Sequence, residues 1–326
     1  MISDKYVPSY KLLENNLSIR DDYNKFVRDI RKIRDKTTMI RYEISKKYLK
    51  GRGLEIGAFH APTPLPDGCE ADYLDQMSID DIKKRFPKYE DYYCVYPNII
   101  ENGELLISIK DNKYDFLIAN HMLEHTENVF KTIQNHLRVI KKGGILYYAV
   151  PDKRFTFDKN RELTTYEHLK AEYLYGSENY RYEHFLDFVT NVQNVKEEKE
   201  ASKVAKKLSE EGLDTHFHVW TSETFIDHIQ KAIDDKILNI EILEHTHKND
   251  IESITILKKL WMNKKNIIKL STDEIENILF LKKYNNQNKF NKLCLLSHFD
   301  INNTIEKYVI HMIKELHKLK FDIVFI

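Results

Sequence analysis

Glycine is scarce in this chain: nine residues in 326, and no G-x-G-x-x-G anywhere. A dinucleotide pyrophosphate needs that fingerprint at a helix N-terminus, so its absence argues against a nicotinamide cofactor and a Rossmann-type sugar-nucleotide oxidoreductase. The three cysteines, Cys69, Cys94 and Cys294, are far apart and form no C-x-x-C pair, which excludes a disulfide framework and a cysteine zinc site. Net charge is also lacking. Lys plus Arg and Asp plus Glu both total 51, so there is no basic footprint for nucleic acid. No apolar run approaches the roughly 20 residues of a bilayer span. The N-terminus is charged early and has no signal-peptide core. A cytoplasmic location is therefore expected.

What is present is an ordinary globular composition, 42% hydrophobic and long enough for more than one domain. Residues 1–50 read as helical, with Tyr23, Phe26, Val27, Ile30 and Ile33 at helical spacing. Such a segment can pack on the domain or lid its pocket. From Gly53 the period changes to short strands alternating with helices, the pattern of a parallel, doubly wound sheet. Strands are expected at 54–57, 71–75, 92–97, 114–119 and 144–150. Ser78 should cap one helix, and a second should run over about 128–140 with Gly143 as its C-cap glycine. After Pro151 the pattern loosens until Thr221-Ser222 caps another helix, and 238–245 with 251–258 read as an antiparallel pair at the sheet edge. Residues 260–291 read as a helical linker. Residues 292–326 follow as a strand, a helix at about 303–319 and a strand, the start of a second α/β domain whose remainder is missing.

Ligands of such sheets sit outside the carboxyl ends of the strands. The polar run Asn120-His121-Met122-Leu123-Glu124-His125 closes one strand there, and Arg138 through Val150 leads into the next. Together with Leu54-Glu55-Ile56-Gly57, these segments resemble the heart of a class I S-adenosylmethionine-dependent methyltransferase. The resemblance implies a Rossmann-like doubly wound α/β sheet over 51–259, with an N-terminal helical extension, a helical insertion after strand five and a partial C-terminal β-α-β unit. It implies S-adenosylmethionine as cofactor, with Glu55, Gly57, Ala58, Asp75, Glu101, Asn102, Asn120 and His121 in contact with it. Gly57 is expected to let the backbone approach the ligand, and Glu55 to hold the turn or face the cofactor's positive end. Asp75 either accepts from both ribose hydroxyls or is a surface helix N-terminal residue. Glu101 and Asn102 are expected near adenine.

Residues 53–258 resemble one subfamily more closely, through Ala61-Pro62-Thr63-Pro64-Leu65-Pro66, Val150 through Asp158, Thr165-Tyr166-Glu167-His168 and His216-Phe217-His218-Val219-Trp220-Thr221. Such domains occur beside polysaccharide genes, and the last 35 or so residues are similar to the start of a rhamnan-synthesis F-type glycan-assembly domain. The implied substrate is a carbohydrate, including a nucleotide-activated sugar for capsular or other surface polysaccharide, and the implied reaction is sugar O-methylation. A non-catalytic nucleoside-binding scaffold is the alternative from another class. A homodimer is an option the sequence leaves open.

Removing a hydroxyl proton suits a histidine. His121, His125, His216 and His218 are the candidate catalytic residues, with His168 and His184 behind them. If 215–219 is extended, His216, His218 and Trp220 share one face and suit a sugar pocket; the pair can equally bridge the insertion to the core. An H-x-H pair can ligate a metal, but spacing places no third ligand, so no metal is expected. Lys153, Arg154 and Arg161, with His168 and Trp220, are the candidate substrate contacts. The cations either hold phosphate or form a solvated basic turn with Asp152 and Asp158.

Overall fold

The computed structural model describes Leu13, residues 16–29, 36–89, 92–211, 215–248 and 251–260, and the backbone of 292–295 and 322–325. The chain divides into two compact units, Met1–Trp261 and Met262–Ile326. In the second, β8 (Lys292–Leu295) pairs in parallel with β9 (Asp322–Phe325). The helix expected at 303–319 and the linker at 260–291 lie outside the described residues, apart from Leu260.

In the first unit, seven strands form one sheet: β1 (Arg52–Ile56), β2 (Glu70–Asp75), β3 (Ile99–Ile100), β4 (Tyr114–Asn120), β5 (Ile140–Pro151), β6 (Ile240–Thr246) and β7 (Glu252–Lys259). Their order is β3-β2-β1-β4-β5-β7-β6. β1 to β5 run parallel, and β7 is antiparallel to both β5 and β6. The strand order reverses between β1 and β4, so a crevice opens at their carboxyl ends.

β4 and β5 are apolar on both faces because both faces are covered. Leu117, Ala119, Leu146, Tyr148 and Val150 turn to one side, under α4 (Val129–Val139) and α8 (Ser222–Asp234). Phe116, Ile118, Tyr147 and Ala149 turn to the other, against Ile44 of α2 (Lys36–Tyr48) and Leu65 of the proline-rich loop. That alternation is the pleat's period of two. Fully burying each Leu, Ile, Val or Phe among them stabilises by about 1.5–3 kcal/mol, which fixes the register.

The expected caps are present. Ser78 accepts from Asp81 N to open α3 (Ile79–Arg85), and Thr221 with Thr224 forms a capping box on α8. Two expectations need correction. The third strand is only Ile99–Ile100, paired with Leu74 and Asp75. Residues 92–97 are instead clamped by Asn24 of α1 (Leu17–Asp29), which donates to Tyr96 O at 2.9 Å and accepts from Tyr96 N at 2.6 Å. A side-chain amide there takes the bonds a neighbouring strand would have taken. Gly143 does not cap a helix. The helix ends at Val139, and Gly143 lies inside β5 with φ +75°. It serves a kink where the β4–β5 register shifts between Tyr114 and Phe116.

Between β5 and α8 comes the insertion: two short 3-10 turns, then α5 (Tyr166–Tyr175), α6 (Arg181–Asn191) and α7 (Glu198–Glu211). α6 and α7 share a small core of Phe185, Val189, Ala201, Ala205 and Phe217. Among the described residues, no helix is long and apolar enough to cross a membrane.

Candidate active site

The carboxyl rim of the sheet collects residues from β1, β2, the β3 turn and β4. Gly57 follows β1 with φ +67°, and a Cβ placed on it would meet nothing within 4 Å. Its backbone therefore faces open space at the switch point, and only glycine adopts that conformation without strain. Ala58 behind it is buried against Tyr73 and Val95. Glu55 is buried and holds the loop: its Oε1 accepts from Thr63 N at 2.8 Å, and Thr63 Oγ1 accepts from Asn120 Nδ2 at 2.7 Å. Glu55 Oε2 and Asn120 Oδ1 are buried without hydrogen-bond partners. Burial pushes the Glu55 carboxyl up to about 7, against the Thr63 bonds and the charges of Arg41 and Arg28.

Asp75 ends β2, half-buried. Its Oδ1 accepts from Gln76 N at 2.7 Å and Met77 N at 3.5 Å. Burial nevertheless holds its carboxyl above the ordinary value, so further donors there would be favoured. In the β3 turn, Glu101 already accepts from Ser108 N and Oγ, at 2.8 and 2.6 Å, and Asn102 Oδ1 accepts from Glu104 N at 2.7 Å. Both side chains build the turn; Asn102 stays exposed.

His121 follows β4 in a left-handed conformation, φ 49°. Its Nε2 lies 2.7 Å from Glu252 Oε2, and its Nδ1 lies 3.5 Å from Glu124 Oε1. Glu252 starts β7 and also takes two bonds from Arg41 of α2, at 2.9 and 2.6 Å. Burial pulls the His121 ring down, but the two carboxylates outweigh it and push the ring up to about 9. At neutral pH His121 is an imidazolium, which is a charge stabiliser and not a proton acceptor.

His216 is held in a different way. Its Nδ1 lies 2.6 Å from Asp158 Oδ2, and its ring packs on Phe157 (centroids 4.5 Å) and edge-on to His125 (4.6 Å). Burial pushes the Asp158 carboxyl up, but His216 and Arg161 outweigh it and hold it below its usual value. An ionised carboxylate on Nδ1 fixes the tautomer and leaves Nε2 as the basic nitrogen. The segment docks on the β4 rim because Phe217 N and His218 N both donate to Glu124 O, at 2.7 and 3.2 Å. Glu124, His125 and His216 thus converge beside the crevice.

The other histidine of the pair goes elsewhere. His218 does not share a pocket with His216; it is buried against Glu172 of α5, His168 and His184. Residues 215–220 are not a regular strand, so the alternation expected of an extended segment does not apply. Trp220 is 1% exposed and packs on Phe225, which makes it core and not pocket wall. Arg161 is 2% exposed, and its guanidinium is spent on Asp187, Asp158, His216 O and Phe217 O. It ties the insertion together and is not available to a phosphate. Lys153 Nζ donates to Arg161 O, and Arg154 pairs with Asp152 and Glu223. The basic turn is thus internally paired. Asp158 and Glu252 lie 58 and 131 residues from the histidines they hold, and Arg41 lies 211 from Glu252, so sequence reasoning misses all three as site residues.

A family model described as a methyltransferase domain matches residues 50–232, over half of the chain. The chain belongs to the methyltransferase-domain family. S-adenosylmethionine is its cofactor, and the rim residues fit it: open space over Gly57, a half-buried Asp75 carboxylate short of donors, and orphaned buried oxygens on Glu55 and Asn120. The chain is 34% identical over 116 residues to the uncharacterized protein MJ1123 of Methanocaldococcus jannaschii, a stretch covering 34% of this chain and 50% of that protein. The match therefore spans about half the length of this curated relative. Similar solved structures include a SAM-dependent methyltransferase from Aquifex aeolicus (11% identity, 71% of this chain and 97% of that one, TM-score 0.37). Another is a SAM-dependent methyltransferase from Methanosarcina mazei (19%, 68% and 99%, TM-score 0.36). A third is the CalH methyltransferase complexed with SAH (14%, 78% and 62%, TM-score 0.36).

Proposed function

We propose that this methyltransferase domain methylates a carbohydrate hydroxyl, with His216 as the general base. The observation that carries the reading is the 2.6 Å His216–Asp158 pair on a segment bonded to the β4 rim. S-adenosylmethionine supplies an electrophilic methyl group on a sulfonium. The chain's own work is to hold the acceptor in line and to take its proton, and positioning of that kind can supply much of the rate. His216 Nε2 accepts the hydroxyl proton while Asp158 stabilises the imidazolium that forms. His121, already charged, holds Glu252 and Glu124 in place and keeps the rim polar.

A carbohydrate acceptor is favoured over an anionic one by what surrounds the base. Phe157 packs on His216 and is 53% exposed. Exposed aromatic faces suit the apolar C–H faces of a sugar ring. Lys153, Arg154 and Arg161 are engaged internally, so they offer little to a nucleotide's phosphates. The proposed contacts to the cofactor are Gly57, Asp75 and Asn120, with Glu55 holding the loop. The test is to incubate the full chain with S-adenosylmethionine and a panel of free, polymeric and nucleotide-activated sugars, and to look for methylated product by mass spectrometry. A methylated sugar supports the proposal. Cofactor binding without turnover on any sugar favours a non-catalytic scaffold instead.

A further inference from the structure

A second cluster of histidines lies inside the insertion and plays no part in the proton transfer above. His168 and Glu172 stand four residues apart on α5, so they share one helix face. His184 comes from α6, and His218 from the segment that carries His216. Glu172 Oε1 lies 2.7 Å from His184 Nε2 and 3.1 Å from His168 Nε2, while its Oε2 lies 2.8 Å from His218 Nε2. The two ring nitrogens of His168 and His184 are themselves 3.2 Å apart. All four donor atoms fall within 4.8 Å of one another.

We propose that His168, Glu172, His184 and His218 bind one divalent transition-metal ion, with zinc the natural occupant, as a staple across the insertion. Three imidazole nitrogens and one carboxylate oxygen make a four-ligand set of the type that closes a structural tetrahedral site. With metal–nitrogen bonds of about 2.0–2.1 Å, a tetrahedral site holds its nitrogens about 3.3 Å apart. The His168–His184 spacing already has that value within a tenth or so of an ångström. Without an ion, two ring N–H dipoles of like sign crowd onto a single carboxylate oxygen. An ion replaces that crowding with two metal–nitrogen bonds. Burial also fits: the Glu172 and His218 side chains are 1% and 0% exposed, His184 is 9%, and His168, at 26%, leaves an entry path. The ion would lock α5, α6 and residues 215–220 to one another, which holds His216 on the rim without touching substrate.

The experiment uses the full chain, stripped with a chelator and dialysed against Zn²⁺, with bound metal measured by plasma mass spectrometry. Co²⁺ then serves as the spectroscopic probe. One tightly held zinc per chain is expected, with the intense visible bands of tetrahedral Co²⁺. His184→Ala should weaken zinc binding by about 100-fold or more, and His168→Ala, at the exposed corner, should do so while keeping the fold. Thermal melts of the stripped wild type should move up on adding zinc, and those of His168→Ala should not. A stripped, folded wild-type chain that takes up no zinc overturns the proposal. So does uptake that is unchanged in both His168→Ala and Glu172→Gln.

Discussion

Arg41→Met attacks the brace between the N-terminal helix α2 and the carboxyl rim. It removes two charge-assisted hydrogen bonds, 2.9 and 2.6 Å long, from Glu252, whose side chain is 1% exposed. Breaking a buried ion pair from one side typically costs about 3–5 kcal/mol, because the surviving charge stays buried. His121 still holds Glu252 Oε2 at 2.7 Å, so the low end, about 3 kcal/mol, is expected. For a domain of this size that is a fall of roughly 6–12 °C in Tm. Urea denaturation and calorimetry of the full chain give both figures. The companion variant Arg41→Met/Glu252→Gln should recover at least about 1.5 kcal/mol, since a neutral amide needs no counter-charge. The pH dependence has a definite sign. Arg41, His121 and their hydrogen bonds overcome burial and hold Glu252 well below the ordinary carboxylate range. Its contribution is therefore present above about pH 4.3 and lost as pH falls through its depressed pKa. His121 is raised to about 9, so its contribution is complete below about pH 6.5 and fades as pH rises through 9. The variant, left with His121 alone, should lose stability more steeply than wild type over that alkaline window. An Arg41→Met loss under about 1 kcal/mol, or a double variant as unstable as the sum of the singles, would refute the brace.

Asp75→Ala should weaken S-adenosylmethionine binding by about 100-fold or more in calorimetry, as two hydrogen bonds to a charged acceptor are lost at about 1.5–3 kcal/mol each; unchanged affinity removes Asp75 from the site. Asp158→Asn should lower kcat by about 10²–10⁴ while the cofactor's Kd stays near wild type, because Nδ1 of His216 loses the carboxylate that fixes its tautomer. Glu55 has a folded pKa raised to about 7, so its contribution is complete below about pH 4.3 and is lost as pH rises to 7. Wild type should then lose about 3 kcal/mol relative to Glu55→Gln between pH 4 and 8, and parallel denaturation curves for the two proteins at both pH values would contradict that.

The sheet was legible because its signals are local. The apolar runs of β4 and β5, the Ser78 and Thr221 caps, and the β-branched pair at the edge each lie within a dozen residues. The position of β3 is not readable locally, because a side chain from α1, Asn24, takes both backbone bonds of Tyr96 that a strand would have used. Gly143 was misread because a glycine after a helix and a glycine at a strand kink look alike in sequence. Which histidines could act was visible only as a list. The sorting depended on carboxylates far along the chain: Asp158 is 58 residues from His216, and Glu252 is 131 from His121. One partner was readable and overlooked. His168 and Glu172, four apart in a helix, already mark two converging side chains of the second cluster.

The most direct measurement is a paired one on His216→Ala: S-adenosylmethionine affinity by calorimetry, and methyl transfer to the best sugar acceptor by product mass. Affinity within about twofold of wild type and turnover lower by at least about 100-fold are expected. Turnover equal to wild type, or a wild-type rim that binds no S-adenosylmethionine, would contradict that expectation.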